Sequence, residues 1–388
     1  MNPRKLNVDI AILGGGIAGL WLLTRLRQQG YQAVLLETAA LGQGQTLSAQ
    51  GIIHGGTKYA VARALTGIAA SIKQMPRRWR DCLAGRGEID LQAVQLLSPH
   101  QYLWVPASLR GKFVGFLTSK LMQSRVEKLK SAEFPQVFQH EDFRGEVYRL
   151  DEPVLHVKSL LTALRLLNLP FLGKLSGAEQ LHWEGGHLKD TGQQLIINAQ
   201  RFILTAGAGN AALNSSAQMQ SRPLKMLMLK NMPLPLYAHC VDSQFKPHLS
   251  ITSHFDPAGK IIWYLGGEVA ESGVEQTDAE VYAYGRHLIH ELLPWLDLTS
   301  IQWQTHAIAR SEAWQMSGKI PAGPYVSENG HLITAWPTKL AYAPLLADQV
   351  LRLIKKTNIL PNRDYPLHDY FQVPKVGVLP WEDVAWES

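Results

Sequence analysis

Residues 8–37, VDIAILGGGIAGLWLLTRLRQQGYQAVLLE, set a G-x-G-x-x-G string between two apolar runs. This stretch limits the fold of the N-terminal part more than any other feature of the chain. Val8 to Leu13 is a nearly continuous apolar run, broken only by Asp9 near its start, as a parallel strand covered on both faces requires. Ile17, Leu20, Leu23 and Leu26 then recur at helical spacing, Gly30 stops the helix, and Ala33 to Glu37 supplies a second strand. In such a unit Gly14 permits the tight turn, Gly16 lets the backbone approach a pyrophosphate, and Gly19 lets the helix pack closely on the strand. The helix N-terminus offers free N–H groups to the phosphates. Glu37 closes the second strand 18 residues after Gly19, where a carboxylate accepts hydrogen bonds from ribose hydroxyls. An acidic residue there disfavours a 2′-phosphate, so NADP is not expected.

The chain has 388 residues, 46% of them hydrophobic, which exceeds one average domain and predicts two. A return to the strand-then-glycine pattern at RFILTAGAGN (201–210) predicts that the nucleotide-binding domain is discontinuous. We expect an α/β chain, α+β overall. A Rossmann-like domain with a parallel sheet is expected from residues 1–85, 150–225 and 305–360. A mostly antiparallel β-sheet domain for the substrate is expected from 86–149 and 226–304, where LKMLMLKNMPLPLYAHC and GKIIWYLGGE read as longer strands. Residues 361–388, rich in Pro and aromatics, read as an extended tail on the surface.

The net charge is +6, yet charged residues make up only 18% and no Lys/Arg block dominates. That balance favours a small anionic ligand over a nucleic-acid groove, which needs a concentrated basic stripe. Arg110, Lys112, Lys120, Arg125, Lys128 and Lys130, interleaved with Phe113, Phe116, Leu117 and Leu121, form a basic amphipathic stretch compatible with peripheral contact on the inner face of a membrane. A solvated helix face is the ordinary alternative. Two cysteines, Cys82 and Cys240, make no disulfide framework and suit a reducing, cytoplasmic setting. Seven residues before the first apolar run leave no room for a secretory signal, and no apolar stretch is long enough to span a membrane. His239, Cys240, His248 and His254 have no tight ligand spacing, so no metal is expected.

After the second strand the chain runs TAALGQGQTLSAQGIIHGGTKY, a long glycine-rich connection rather than the prompt helix of a compact NAD domain. Here it resembles the D-amino-acid oxidase superfamily of flavoproteins. Within that superfamily IHGGTKY is most similar to a stretch of the aerobic glycerol-3-phosphate dehydrogenases, with L-2-hydroxyglutarate dehydrogenase also among the relatives. The resemblance implies FAD. It places Gln50, Gly51, His54, Gly55 and Gly56 along the flavin ring and Tyr59 toward the substrate. Some relatives attach flavin covalently to a histidine in this region, whereas the glycerol-3-phosphate type holds it noncovalently. An orienting core histidine is the structural alternative for His54.

RFILTAGAGN resembles the superfamily strand that closes over the adenine side, and Ala206 and Gly207 carry over. AIAR resembles the segment supplying a substrate-binding arginine, here Arg310. AWPTKLAYAP resembles the G-G-K-L-T-T-Y-R stretch of the glycerol-3-phosphate dehydrogenases. That likeness puts Thr338, Lys339 and Leu340 against the flavin and Trp336 by the substrate, but neither glycine is present. The resemblance therefore implies an FAD-dependent oxidoreductase that moves a hydride from a small anionic substrate to flavin, with oxygen or quinone as acceptor. The substrate classes implied are 2-hydroxy acids, amino acids and glycerol-phosphate-like compounds. His54, Lys339 and Arg310 are the expected catalytic groups. The competing reading is a flavin-holding assembly or maturation protein without small-molecule turnover.

Overall fold

The computed structural model describes residues 3–55, 72–109, 126–241, 247–316, 318, 321, 323–361 and 371–387. Its N-terminal unit is the predicted one. Strand β1 (Arg4–Leu13) leads through the glycine turn into helix α1 (Ile17–Gln28), which returns to strand β2 (Ala33–Glu37). Val8 to Leu13 are all buried, as a strand covered on both faces must be. Asp9, the polar exception, is itself 7% exposed. Its carboxylate accepts the Gln32 N–H at 3.0 Å and the Gln200 amide at 3.1 Å, so the charge ties β1 to the chain on either side of it.

β1 is the centre of a parallel layer. It pairs in parallel with β2 on one side and with Leu195–Leu204 on the other. The strands Leu172–Lys174 and Leu332–Trp336 extend the layer, also in parallel, beyond β2 and beyond Leu195–Leu204. The sheet is thus assembled from segments far apart in the sequence. α1 and the helices Val157–Asn168 and Ala343–Ile354 share one core with Trp21, Leu161 and Leu346 at its centre. The opposite face buries Leu13, Leu36, Leu204 and Phe202 in a separate cluster.

The second layer is an eight-stranded sheet ordered Gln302–Ala313, Met219–Met232, Ile261–Gly267, Pro247–Phe255, Ala238–Val241, Gln101–Val105, Glu146–Leu150, Val126–Lys128. All of its pairings are antiparallel except that of Ala238–Val241 with Gln101–Val105. The helix Asp278–Leu292 is anchored by a Thr277–Glu280 capping box and packs on its own core of Leu227, Trp263 and Trp303. The boundaries drawn at 225 and 305 fall inside two strands of this sheet, which pair with each other from Met219–Ala313 to Lys230–Gln302. Of the basic amphipathic stretch, residues 110–125 lie outside the described residues. Among the described residues no helix is long and apolar enough to cross a membrane.

The C-terminal segment differs from the surface tail that its composition suggests. Its described part, 371–387, bridges Val376 to Leu41 in the first layer and Glu387 to Trp303 in the second. Leu379 and Trp381 are each 4% exposed and join the core beside α1. A Pro- and aromatic-rich segment lacks helical or strand periodicity, so composition alone does not reveal that its side chains fill the seam between two sheets.

Trp381 lies 4.2 Å from the ring of His254, which is 1% exposed and meets Thr252 Oγ1 at 3.1 Å. Burial, with the charge of His156 adding to it, pushes the His254 pKa down to about 3. The unfolded chain takes up a proton on this ring below about pH 6.5, while the folded ring stays neutral. Folding stability is therefore fully present above about pH 6.5 and is lost as pH falls from there toward 3. We expect this group alone to remove about 2 kcal/mol between about pH 7.5 and pH 5, read by urea denaturation at each pH. The slope should flatten by that amount in His254→Gln. An equal slope in the variant would place the acid sensitivity elsewhere.

Candidate active site

All the parallel strands end on one edge, and the loops leaving that edge line a cavity of about 1640 Å³ between the two sheets. Gly14, Gly16, Glu37, Gln50, Gly51, His54, Ala206, Gly207, Arg310, Trp336, Thr338, Lys339 and Leu340 all line it. Gly19 and Gly55 stand just behind the wall, and Gly56 and Tyr59 lie outside the described residues.

At one end the glycine turn sits under the N-terminus of α1. Gly14 has φ +110° and donates to the Leu36 carbonyl at 3.0 Å. A Cβ there would come within 2.6 Å of the Thr205 and Ala206 backbone, so only glycine lets these strand ends meet. A Cβ on Gly19 would strike the Gly14 carbonyl and crowd Leu35 of β2. Glu37 reaches back across this turn, with Oε2 accepting the Gly15 N–H at 2.6 Å and Oε1 the Ala39 N–H at 2.8 Å. Oε1 also takes the Thr38 hydroxyl at 3.5 Å, and Oε2 keeps a lone pair for a further donor. A bare glycine turn, a helix N-terminus and a fixed carboxylate are the donor and acceptor set that a dinucleotide needs.

The adjoining wall is held by a further set of side chains, with the expected substrate-side residue Trp336 among them. Thr46 Oγ1 accepts the Ile17 N–H at 3.2 Å. Asn210, fully buried, accepts the Ala206 N–H at 2.8 Å and donates to the Ala335 carbonyl at 3.2 Å, joining two strand ends. Trp336, 1% exposed, donates its indole N–H to the Gly207 carbonyl at 3.0 Å, so its polar edge is spent on the same seam. Ser48 meets His306 Nε2 at 2.8 Å, and burial pushes the His306 pKa down.

Gln50 bolts the middle of the cavity to the second sheet, donating to the Ser250 and Tyr264 carbonyls at 3.1 and 2.9 Å and accepting from Ser250 Oγ. Gly51 accepts the Leu155 N–H at 2.9 Å, and Ile53 donates to the Pro153 carbonyl. These contacts carry His54 and Gly55 to Glu152, a residue missed in the sequence. Glu152 is 4% exposed; its Oε1 accepts the Gly55 N–H at 2.8 Å and its Oε2 lies 3.3 Å from His54 Nδ1. Burial pushes this carboxyl up, but the bond and charge of His54, the Gly55 N–H and the nearby His239 outweigh it and hold the pKa at about 2. His239, 2% exposed, stacks on His54 with ring centroids 5.9 Å apart. One ligand-type atom from each of the three lies within 4.8 Å of the others. The signal in the sequence was a charged residue before proline in an otherwise apolar run, LDEPVLH, and a histidine set aside because its chain neighbours form no ligand set.

The cationic side of the cavity comes from two strands and a turn. Arg310, on Gln302–Ala313, is half-buried and donates Nε to the Arg222 carbonyl at 3.2 Å. Among the described residues it has no ion-pair partner, while neighbouring Arg222 faces Glu312 at 4.0 Å. Burial lowers its pKa, and the Arg222 charge adds to the fall. Burial likewise pushes the Lys339 ammonium down to about 8, opposed by Glu152 and Glu312 and assisted by Arg310 and Arg222. Lys339 follows Thr338, whose φ is +62°. The backbone here thus takes the left-handed conformation that favours glycine, with threonine in it. Its hydroxyl donates to the Pro337 carbonyl at 2.6 Å and to that of Gly323 at 3.3 Å.

The chain matches the family model described as FAD dependent oxidoreductase (DAO) over residues 9–335. It is 42% identical over 400 residues to a Pseudomonas aeruginosa protein described as a probable FAD-dependent oxidoreductase, with 99% of each chain covered. The crystal structure of an FAD-dependent oxidoreductase from P. aeruginosa superposes with TM-score 0.84 at 38% identity, covering 98% of both chains. Glycine oxidase from Geobacillus kaustophilus shares the fold at TM-score 0.67 and 14% identity, over 96% of this chain and 100% of that one. An L-α-glycerophosphate oxidase from Mycoplasma pneumoniae with FAD bound does so at 0.60 and 13%, over 93% and 98%.

Two outcomes follow from this geometry. Thr338→Gly should be more stable than Thr338→Ala by about 1 kcal/mol, because both lose the hydroxyl and only alanine keeps a Cβ in the left-handed region. Thermal denaturation at matched FAD saturation reads the difference, and equal midpoints would show that the turn is unstrained. Glu37→Ala should lower flavin retention through gel filtration while the far-UV circular dichroism stays that of the parent; full flavin occupancy in the variant would remove Glu37 from the cofactor site.

Proposed function

Since the chain belongs to the D-amino-acid oxidase (DAO) family of FAD-dependent oxidoreductases, we propose that it oxidises a small anionic substrate at a carbon bearing a hydroxyl or an amino group. FAD supplies the two-electron acceptor for the hydride that leaves this carbon, and oxygen or a quinone then takes the electrons. The observation that carries the reading is Arg310, a half-buried cation on the cavity wall with no ion-pair partner among the described residues. A guanidinium held this way retains its planar fork for a carboxylate or phosphate.

The glycine turn and the N-terminus of α1 hold the pyrophosphate, and Glu37 holds the ribose hydroxyls. Gln50, Gly51, His54, Gly55, Thr338, Lys339 and Leu340 shape the flavin end. Arg310 clamps the substrate anion in ground and transition states alike. Lys339 adds positive charge where negative charge develops as the hydride moves, and His54 takes the proton from the substrate hydroxyl or amine. The preference for an anion, rather than one named substrate, is what these residues support.

Anaerobic mixing with a panel of 2-hydroxy acids, amino acids and glycerol 3-phosphate should bleach the flavin absorbance for at least one class. Bleaching by none would favour the flavin-holding assembly or maturation role. With a substrate in hand, Arg310→Ala should raise KM about tenfold or more with kcat largely kept, and Arg310→Lys should restore little, since a point charge lacks the fork. Lys339→Ala should instead lower kcat. In the parent enzyme kcat should decline as pH rises through about 8, where the Lys339 ammonium loses its proton. Parent kinetics in both alanine variants at full flavin content would assign the anion site to other residues.

A further inference from the structure

Glu152, His54 and His239 come from three separate parts of the chain, the loop after Glu146–Leu150, the glycine-rich connection and the strand Ala238–Val241. His54 and His239 line the cavity and Glu152 lies behind them. Glu152 is a buried anion and therefore acceptor-only, so the nitrogen that faces it, His54 Nδ1, is the one that carries the proton. The Gly55 N–H on the other carboxylate oxygen keeps the carboxylate from turning away. His239 lies beside the imidazole with its ring 23° from parallel to it.

We propose that Glu152 is a positioning residue for the reaction: by accepting the Nδ1 proton of His54 it fixes Nε2 as the nitrogen that receives the substrate's proton. The inference rests on the reading of His54 as a base given above. The substrate's C–H bond would break with its electron pair leaving as the hydride that FAD, when bound, accepts, while the electron pair of the O–H or N–H bond of the same substrate forms the new double bond to carbon. The O–H or N–H proton moves to His54 Nε2, and a carbonyl or imine is left. The imidazolium so formed lies against the Glu152 carboxylate, which stabilises it without taking the proton, and Nε2 returns the proton to water once product has gone. Among the described residues, the charged and titratable groups that face His54 or its partner are Glu152, His239 and Lys339, whose charge is coupled to that of Glu152.

The test reads the tautomer directly and needs no substrate. In FAD-loaded protein with ¹⁵N-labelled histidine, long-range ¹H–¹⁵N spectra report which ring nitrogen is protonated, and His54→Gln identifies the signals. Neutral His54 should be protonated at Nδ1. Glu152→Gln, which keeps an oxygen for the Gly55 N–H, should bring in the Nε2–H form and lower the His54 titration midpoint by about one pH unit or more. Glu152→Asp should preserve part of the midpoint, and flavin absorbance should be that of the parent in both. An Nε2–H tautomer in the parent protein, or an unchanged tautomer and midpoint in Glu152→Gln, overturns the proposal. With the first compound that bleaches the flavin, Glu152→Gln should lower kcat about a hundredfold or more, change KM less than about threefold, and move the acid limb of the pH profile down with the midpoint. A shifted tautomer with unaltered turnover would make Glu152 structural and overturn the proposal. A panel in which nothing bleaches the flavin would defeat the reading of the reaction, while the spectra still decide the tautomer.

Discussion

The structure depends on how closely the chain can be brought together where β1 ends. The Leu13 carbonyl accepts the Thr205 N–H at 2.8 Å, the Gly14 carbonyl accepts Thr205 Oγ1 at 2.9 Å, and the Gly14 N–H donates to Leu36. Three parallel strands thus finish within hydrogen-bond reach of one residue that has no side chain. Any larger residue would force the strand ends apart and separate the glycine turn from Glu37 and from Ala206. The edge that results is the general site for ligands in open parallel sheets, because the loops leaving such strands converge there.

That edge was legible from the sequence because each signal is local. A continuous apolar run, glycines at fixed offsets and a carboxylate at the end of the next strand specify β1, the turn, α1 and β2 without knowledge of the rest of the chain. Arg310 and Lys339 were reached through likeness to a family, and the cavity gathers both. What could not be read belongs to pairings over long separations. Glu152 meets a histidine 98 positions earlier, and Ser48 meets His306 258 positions on. Neither pair leaves a periodic trace, so each residue alone reads as an ordinary polar residue in an apolar neighbourhood. Thr338 shows a different limit: its residue type gives no sign of the left-handed backbone that it adopts.

The two walls of the cavity divide its physical work. The parallel layer contributes backbone N–H groups and one carboxylate, a surface suited to phosphates and ribose. The second sheet contributes the histidine His239 and the cation Arg310, and Gln50 fixes the glycine-rich connection against it through three hydrogen bonds. The reaction proposed above therefore draws on side chains from both layers.

The C-terminal segment adds a constraint of a different kind. Val378, Leu379, Pro380, Asp383 and Val384 line the same cavity as Gly14 and Gly16. The enclosure is consequently a property of long-range loop closure, and the entropy of that closure has to be overcome before any of the walls can hold a ligand. A chain that has paired β1 with β2 still lacks a wall until residue 384 has docked. Docking of this segment therefore completes the enclosure, and any ligand that binds only the completed cavity stabilises the folded chain to an extent set by its affinity and concentration.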